Sequence, residues 1–178
     1  VGGGISNLQD MERVLLAGAE KISVNSLAVK NPDIIAEGAK AFGSQCIVLG
    51  TDPVRSEDPG FPSGYEVTTR GFREHTGMDA LEWVKRAEDL GAGEIFLTSV
   101  DREGTGTGFD LELITLVSQS VSIPVIAHGG AGSAKDCFDA LEMGFADAIS
   151  VASILHYDVV QNHQVREYHA VEGNAVFL

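Results

Sequence analysis

The chain has 178 residues, of which 44% are hydrophobic, and it carries a formal net charge of −14 at pH 7. This size and apolar content are typical of one folded domain, whereas the negative charge argues against nucleic-acid binding, because phosphate neutralisation needs clustered Lys and Arg. No apolar run approaches the ~20 residues that span a bilayer, and the first residues lack the pattern of a signal peptide, so we expect a cytoplasmic protein without a membrane contact.

Helices and strands alternate along the chain. Apolar residues recur at helical spacing in five segments, and five short apolar runs between them are typical of strands buried on both faces. In chain order, the first half is predicted to hold a helix ending near residue 17, a strand at 21–25, a helix at 32–42, a strand at 46–51, and a turn-rich loop at 57–64 that leads to a surface hairpin at 65–69. The second half is predicted to hold a helix at 81–90, a strand at 94–99, a helix at 111–120, a strand at 123–127, a helix at 135–143 and a strand at 148–152.

Capping residues predict where three of these helices begin. Ser6 with Gln9 three residues later forms a capping-box pattern. Asn31 and Pro32 supply an N-cap and a first-turn proline for the second helix. Asp110 is the expected N-cap of the fourth helix.

This strict alternation predicts a parallel sheet built from right-handed crossover units. A doubly wound sheet would place one ligand at a single switch point, whereas a (β/α)8 barrel gathers polar residues from many strand ends on one face. Polar residues follow nearly every strand here, which favours the barrel. They are Asn25, Asp52, Thr98 with Asp101, His128 and Ser153.

The first 26 residues recur, without a gap, 127 positions later, so that Val1 to Ser26 align with His128 to Ser153. Each copy is a glycine-rich turn followed by a helix and a strand, and the amides freed by such a turn can hold anionic oxygens. A tight turn without a ligand is the alternative for a single copy. Two copies, at an offset near half of a typical ~250-residue barrel, favour two related half-barrels and a ligand with two phosphates.

Two strand ends carry further candidates. Asp52 follows the 46–51 strand, where a barrel places catalytic groups, and its carboxylate is suited to general acid or base chemistry. Because it precedes Pro53, an ordinary turn former is the alternative. Thr98 ends the next strand, and Gly104 in the following loop allows close approach of a ligand. A polar loop that caps the next helix at Asp110 is the alternative there.

The two cysteines and five histidines of the chain form no metal-ligand pattern. Cys46, in a strand-like run, and Cys137, in a helical run, are expected to be buried thiols. Only His128 ends a predicted strand beside a glycine-rich turn. Because no spacing of His, Cys or carboxylates resembles a metal site, we predict neither a metal nor another cofactor.

Five segments carry a specific resemblance. They are VGGGIS, AEKISVNS, GSQCIVLGTD, GAGEIFLTSVDREGTGTGFD and IPVIAHGGAG. In this order they resemble the cyclase subunits of imidazole glycerol phosphate synthases, lyases of histidine biosynthesis, and the resemblance extends from Val1 to about His156. It implies a (β/α)8 barrel that receives ammonia from a glutamine amidotransferase partner. The ammonia converts a bisphosphorylated ribulosyl aminoimidazole intermediate to imidazole glycerol phosphate and aminoimidazole carboxamide ribotide.

The resemblance also implies roles for individual residues. Two strand-end aspartates act as general acid and base in this family; Asp52 matches the second, and nothing in this chain corresponds to the first. Thr98 matches a substrate-contacting threonine, and Lys21 and Glu94 match two members of a charged gate on the face toward the amidotransferase. One phosphate site is matched by Gly4, Asn25 and Ser26, and the other by Gly104, Gly130, Ala152 and Ser153.

Two positions depart from the family pattern. Glu103 stands where the family usually has Asp, and His128 stands where it usually has Ser. Both flank the second phosphate site, and an imidazole beside a phosphate adds a hydrogen bond or, when protonated, a charge. These changes leave open a paralogue that uses the same ammonia chemistry on another sugar, such as one of surface-polysaccharide synthesis.

Two complete strand-helix units and most of a third strand of such a barrel have no counterpart in the chain. We therefore expect an incomplete barrel that lacks its first two to three strands, with residues 1–178 as the C-terminal portion of one barrel domain. Such a chain is either truncated from a longer product, and then inactive alone, or it self-associates through its open strand edges. The related isomerase of the same pathway and a non-catalytic phosphate-binding half-barrel are the remaining alternatives.

Overall fold

The computed structural model describes residues 1–156, in which parallel strands alternate with helices. The strands are β1 (Ile22–Val24), β2 (Ile47–Arg55), β3 (Tyr65–Thr69), β4 (Glu74–Asp79), β5 (Glu94–Thr98), β6 (Val125–His128) and β7 (Ala148–Ser150). The helices are α1 (Leu8–Leu16), α2 (Ser26–Lys30), α3 (Asp33–Phe42), α4 (Ala80–Asp89), α5 (Leu111–Ser118), α6 (Ala134–Glu142) and α7 (Ser153–His156).

Five of the strands form one parallel sheet in the order β1-β2-β5-β6-β7. The spatial order follows the chain order, so the sheet has no reversal point of the kind that defines a doubly wound fold. Among residues 1–156 no pairing joins β7 to β1, and the sheet is an open arc of a barrel. The predicted barrel-family fold, with its five parallel strands, is confirmed.

An antiparallel hairpin extends β2 beyond the parallel sheet. The parallel pairing of β2 with β5 ends at Thr51, and the antiparallel pairing with β3 begins at Asp52. β3 then pairs with β4, so a hairpin forms as predicted, but its placement at the surface is wrong because every residue of β3 is buried. The prediction that the strand ends at Thr51 is wrong, because Pro53 lies inside β2 and its carbonyl accepts a hydrogen bond from the Val100 amide at 3.0 Å.

The core contains alternate residues of the strands and one stripe of each longer helix. Ile22, Leu49, Ile95 and Val125 are completely buried, as is Val84 of α4. Burying each such side chain stabilises the fold by about 1.5–3 kcal/mol. The strands are therefore held rigidly, and their carboxyl ends are fixed relative to one another.

Two of the three predicted helix starts are displaced by one or two residues. The N-cap of α1 is Asn7, whose side chain accepts from the Asp10 amide, while the Asp10 carboxylate accepts from the Ser6 amide, both at 3.0 Å. The predicted Ser6 cap is wrong, because the side chains of Asn7 and Asp10 accept the hydrogen bonds of the Asp10 and Ser6 amides at this helix start. The predicted Asn31 cap is also wrong: α3 begins at Asp33, after Pro32.

The predicted start of the third of these helices, α5, and the predicted burial of one of the two cysteines are confirmed. Asp110 caps α5 as predicted and accepts from the Leu113 amide at 3.1 Å. Cys137 is buried, and burial raises the pKa of its thiol to about 11. Cys46, however, is half-buried in a short 3-10 turn (Ser44–Cys46) before β2, so its assignment to a buried strand is wrong.

No helix among residues 1–156 has the length and apolar character needed to cross a membrane.

Candidate active site

Asp52 lies at the carboxyl end of the parallel part of β2, between the strand ends that carry the other candidates. Its Oδ2 accepts a hydrogen bond from Asn25 Nδ2 at 2.7 Å. Its own backbone carbonyl accepts from the Thr68 hydroxyl of β3, also at 2.7 Å. The hairpin therefore fixes the backbone of Asp52, and Asn25 fixes one of its carboxylate oxygens.

Burial raises the pKa of the Asp52 carboxyl above its ordinary value of 3.8. Hydrogen bonds from Asn25 and Thr98 and the nearby His128 oppose this shift, whereas the charge of Glu103 adds to it. A carboxyl group with a raised pKa exchanges its proton closer to neutral pH, which suits general acid or base catalysis.

The raised pKa of Asp52 predicts a pH-dependent effect on stability. The folded protein holds this proton more tightly than the unfolded chain does. Below the ordinary pKa of 3.8, Asp52 therefore does not lower the free energy of unfolding, and it lowers it progressively as the pH rises toward the folded-state pKa. We expect Asp52→Asn to match the wild type in stability below the ordinary pKa of 3.8 and to be more stable than the wild type at neutral pH. Urea unfolding across this range checks the prediction, and a stability difference that does not change with pH would contradict it.

Asn25 offers a second polar atom at the same place. Its Oδ1 is buried and has no hydrogen-bond partner within the described residues. A buried acceptor without a donor is costly unless a ligand or water supplies one. The Asn25 side chain can therefore position Asp52 through Nδ2 and accept an N–H or O–H of a ligand through Oδ1.

The first glycine-rich turn is open. Gly4 has φ +72°, and a Cβ built on it would meet nothing within 4 Å. Gly2 to Gly4, with Asn25 and Ser26 at the end of β1, line a cavity of about 210 Å³. The structure therefore brings together the three residues that were predicted for the first phosphate site.

The second glycine-rich turn is covered by the loop that follows β5. A Cβ on Gly130, which has φ +100°, would lie 2.3 Å from the Gly108 carbonyl oxygen. Gly130, Ala152 and Ser153 line one cavity, of only about 10 Å³. Three of the four predicted residues thus meet, whereas Gly104 lies on the covering loop and does not line this cavity.

Glu103 and His128 also line the second cavity. His128 Nε2 lies 3.3 Å from Glu103 Oε2, and His128 Nδ1 lies 3.0 Å from the Ser150 carbonyl oxygen. The Phe96 ring packs against the imidazole, with ring centroids 5.3 Å apart. The two positions that depart from the family pattern are therefore in direct contact.

Lys21 and Glu94 form an ion pair at the amino ends of the strands, the end of the sheet opposite to Asp52. Glu94 is the first residue of β5, and Lys21 immediately precedes β1. The Lys21 side chain must reach past the start of β2, which lies between these strands. The pair thus spans three strands at their amino ends, far from Asp52.

A polar network behind the hairpin was not expected from the sequence. Arg55 Nη2 donates to the Tyr65 hydroxyl at 2.6 Å and to Glu112 at 2.8 Å, and the Tyr65 hydroxyl contacts Asp110. The Arg55 amide donates to the Asp101 carboxylate at 2.8 Å. Asp101, which follows a strand end as a ligand residue would, is therefore used to hold the hairpin. The alternation around Tyr65 was the only sequence signal for this network.

The described part of the chain offers no group of three or more His, Cys, Asp or Glu side chains able to hold a metal ion. An arc of a (β/α) barrel with a half-buried carboxylate at the carboxyl rim, between two glycine-rich turns, defines a barrel protein of the enzyme type. Within this class, the chain belongs to the histidine biosynthesis protein family, whose sequence model matches residues 1–161.

Three relatives are similar over most of the chain, and each is named imidazole glycerol phosphate synthase subunit HisF. The relative from Desulforapulum autotrophicum is 54% identical over 169 residues, which cover 94% of this chain and 65% of the relative. That from Syntrophobacter fumaroxidans is 55% identical over 170 residues, with the same two coverages. That from Desulfatibacillum aliphaticivorans is 51% identical over 177 residues, 99% of this chain and 68% of the relative. The chain thus spans about two thirds of the length of these relatives.

Proposed function

We propose that this chain carries the cyclase activity of an imidazole glycerol phosphate synthase. It would combine ammonia with a bisphosphorylated ribulosyl aminoimidazole intermediate and release imidazole glycerol phosphate and aminoimidazole carboxamide ribotide. The names of the relatives support this reaction. The single observation that carries it is the half-buried Asp52 carboxylate, held by Asn25 at the rim between the two glycine-rich turns.

In this proposal the two turns hold the two ends of one substrate. Gly4 with Ser26 would bind one phosphate, and Gly130 with Ser153 the other, because backbone amides and hydroxyls at such turns donate to phosphate oxygens. Such local donors act even in a chain of net charge −14, since distant exposed charges are screened.

Asp52 would then act on the reacting part of the substrate. Its Oδ2 is held by Asn25, which would orient the carboxyl group as it takes up or releases a proton. Thr98, buried at the end of β5, would contact the substrate beside it. The raised pKa of the Asp52 carboxyl fits either direction of proton transfer near neutral pH.

The Lys21–Glu94 pair is proposed to face a glutamine amidotransferase that supplies the ammonia. We expect Lys21→Met to lower glutamine-driven turnover about tenfold and to change turnover with added ammonium less than about twofold, because the pair lies far from Asp52. The exposed Lys40 of α3 gives a matched control, Lys40→Met, which should leave both rates unchanged. Equal losses with glutamine and with ammonium would contradict an amidotransferase-facing role.

The proposed reaction is tested by supplying the bisphosphorylated intermediate and ammonium to the full-length protein. We expect imidazole glycerol phosphate and aminoimidazole carboxamide ribotide to form in equal amounts. Absence of both products would overturn the proposal.

One observation favours a second candidate function. The Glu103 carboxylate occupies the second turn, where the proposed substrate would place a phosphate. A paralogue that aminates another sugar, with a different group at this turn, is the alternative. Failure to consume the bisphosphorylated intermediate, together with amination of a second sugar phosphate, would select it.

A further inference from the structure

The second glycine-rich turn already holds an anion, the carboxylate of Glu103. A Cβ on Gly129 would lie 3.3 Å from Glu103 Oε2, so the carboxylate packs directly against the turn. It lines the same cavity as Gly130 and Ser153. That cavity has about 10 Å³ of free space, which is room for about one water molecule. A phosphate therefore enters only if Glu103 leaves.

His128 is the group that holds Glu103 in this position. Both ring nitrogens face oxygen acceptors, the Ser150 carbonyl at 3.0 Å and Glu103 Oε2 at 3.3 Å. The Ser150 carbonyl can only accept, so Nδ1 carries a proton, and Nε2 forms an ion pair with the Glu103 carboxylate when the ring is protonated.

The other charged groups around this turn are engaged elsewhere. The Arg102 guanidinium donates to the Thr107 hydroxyl at 3.1 Å. The Asp136 carboxylate accepts from the Gly132 amide at 3.0 Å and from the Ser133 hydroxyl. Among residues 1–156, His128 is therefore the basic side chain that contacts Glu103.

Glu103 is the more exposed partner, whereas His128 is held by two further contacts. The Glu103 side chain is 36% exposed and belongs to an irregular loop, while the His128 side chain is 18% exposed and is fixed between Phe96 and Ser150. Displacing Glu103 would leave Nε2–H of His128 pointing into the second turn.

We propose that Glu103 is an internal placeholder that a phosphate displaces from His128, so that the pair determines which ligands the second turn accepts. This inference rests on the proposed function, which assigns a phosphate to the turn. A phosphate monoester carries up to two negative charges and outcompetes the single charge of Glu103 for the contact with His128. A neutral group or a monoanion does not, and the turn then stays closed.

Amide NMR of the isotope-labelled full-length protein, titrated with inorganic phosphate, tests the inference. The Gly129 and Gly130 amides report on the second turn, and the Gly3 and Gly4 amides report on the first. We expect Glu103→Gln to tighten phosphate binding about tenfold at the second turn and to leave the first turn unchanged. Glu37→Gln, which removes the same charge from the exposed face of α3, should change neither.

A second variant tests whether the effect of Glu103→Gln depends on the contact with His128 or only on the removal of a negative charge. His128→Asn should weaken phosphate binding at the second turn about tenfold, because the donor is lost. In this background Glu103→Gln should have a smaller effect, since Glu103 is no longer held over the turn. Acetate at the same concentration should not shift the Gly129 and Gly130 amides of the wild type.

The outcomes distinguish this inference from the proposed function. Phosphate binding at both turns with no effect of Glu103→Gln, or equal shifts with acetate and phosphate, would overturn the placeholder and leave the proposed function standing. Phosphate binding at neither turn, in the wild type and in all variants, would overturn both.

Discussion

Replacing Asp52 by Asn should lower ammonium-driven turnover at least about a thousandfold and leave substrate affinity within about twofold. The amide has nearly the same shape as the carboxyl group, and its oxygen can still accept the hydrogen bond from Asn25 Nδ2 that measures 2.7 Å in the wild type. It cannot take up or release the proton. The loss should therefore fall on kcat and not on KM.

Asp101→Asn is the matched control for this prediction. Asp101 lies at the same rim, but its carboxylate accepts a hydrogen bond from the Arg55 amide at 2.8 Å. An amide oxygen can accept the same bond, so kcat should stay within about threefold of the wild type. A turnover of Asp52→Asn close to that of Asp101→Asn would remove Asp52 from the chemistry.

Replacing Gly130 by Ala should destabilise the protein by about 3–5 kcal/mol, and replacing Gly4 by Ala by only about 1–2 kcal/mol. Both residues have positive φ, so both variants strain the backbone. The two sites differ in the room that they leave for a Cβ. At Gly130 it would lie 2.3 Å from the Gly108 carbonyl oxygen and 2.8 Å from Arg102 Cβ, whereas at Gly4 it would meet nothing within 4 Å.

Urea unfolding of the two full-length variants measures this difference. Gly130→Ala should also lose phosphate binding at the second turn, because a Cβ at φ +100° strains the backbone whose amides would donate to the phosphate. Gly4→Ala serves as the internal control, since Gly4 lies in the other copy of the repeated turn and a Cβ there meets no other atom. Equal losses of stability would mean that the loop does not pack on Gly130 in solution.

The fold was predictable because its signals are local. Apolar runs and helical spacing identify the five parallel strands and the helices between them, and polar residues at successive strand ends favour a barrel over a doubly wound sheet. The misplaced boundaries have non-local causes. β2 continues through Pro53 because β3 pairs with it, and this partner lies ten or more residues further along the chain.

The site was predictable only in part, because several of its contacts are also non-local. The repeat predicts two equivalent turns, but the loop after β5 covers only the second, and this loop lies outside both copies of the repeat. The contact between Glu103 and His128 depends on the path of that loop. Likewise, Asn25 and Asp52 lie on different strands, and no spacing in the sequence shows that one holds the other.

A crystal structure of the full-length Asp52→Asn variant with the bisphosphorylated intermediate bound tests the central claim most directly. We predict one phosphate at Gly4 and Ser26, the other at Gly130 and Ser153, and the reacting part of the substrate against residue 52. We also predict that Glu103 has moved away from His128. Phosphates bound outside the two turns, or a substrate that does not reach residue 52, would contradict it.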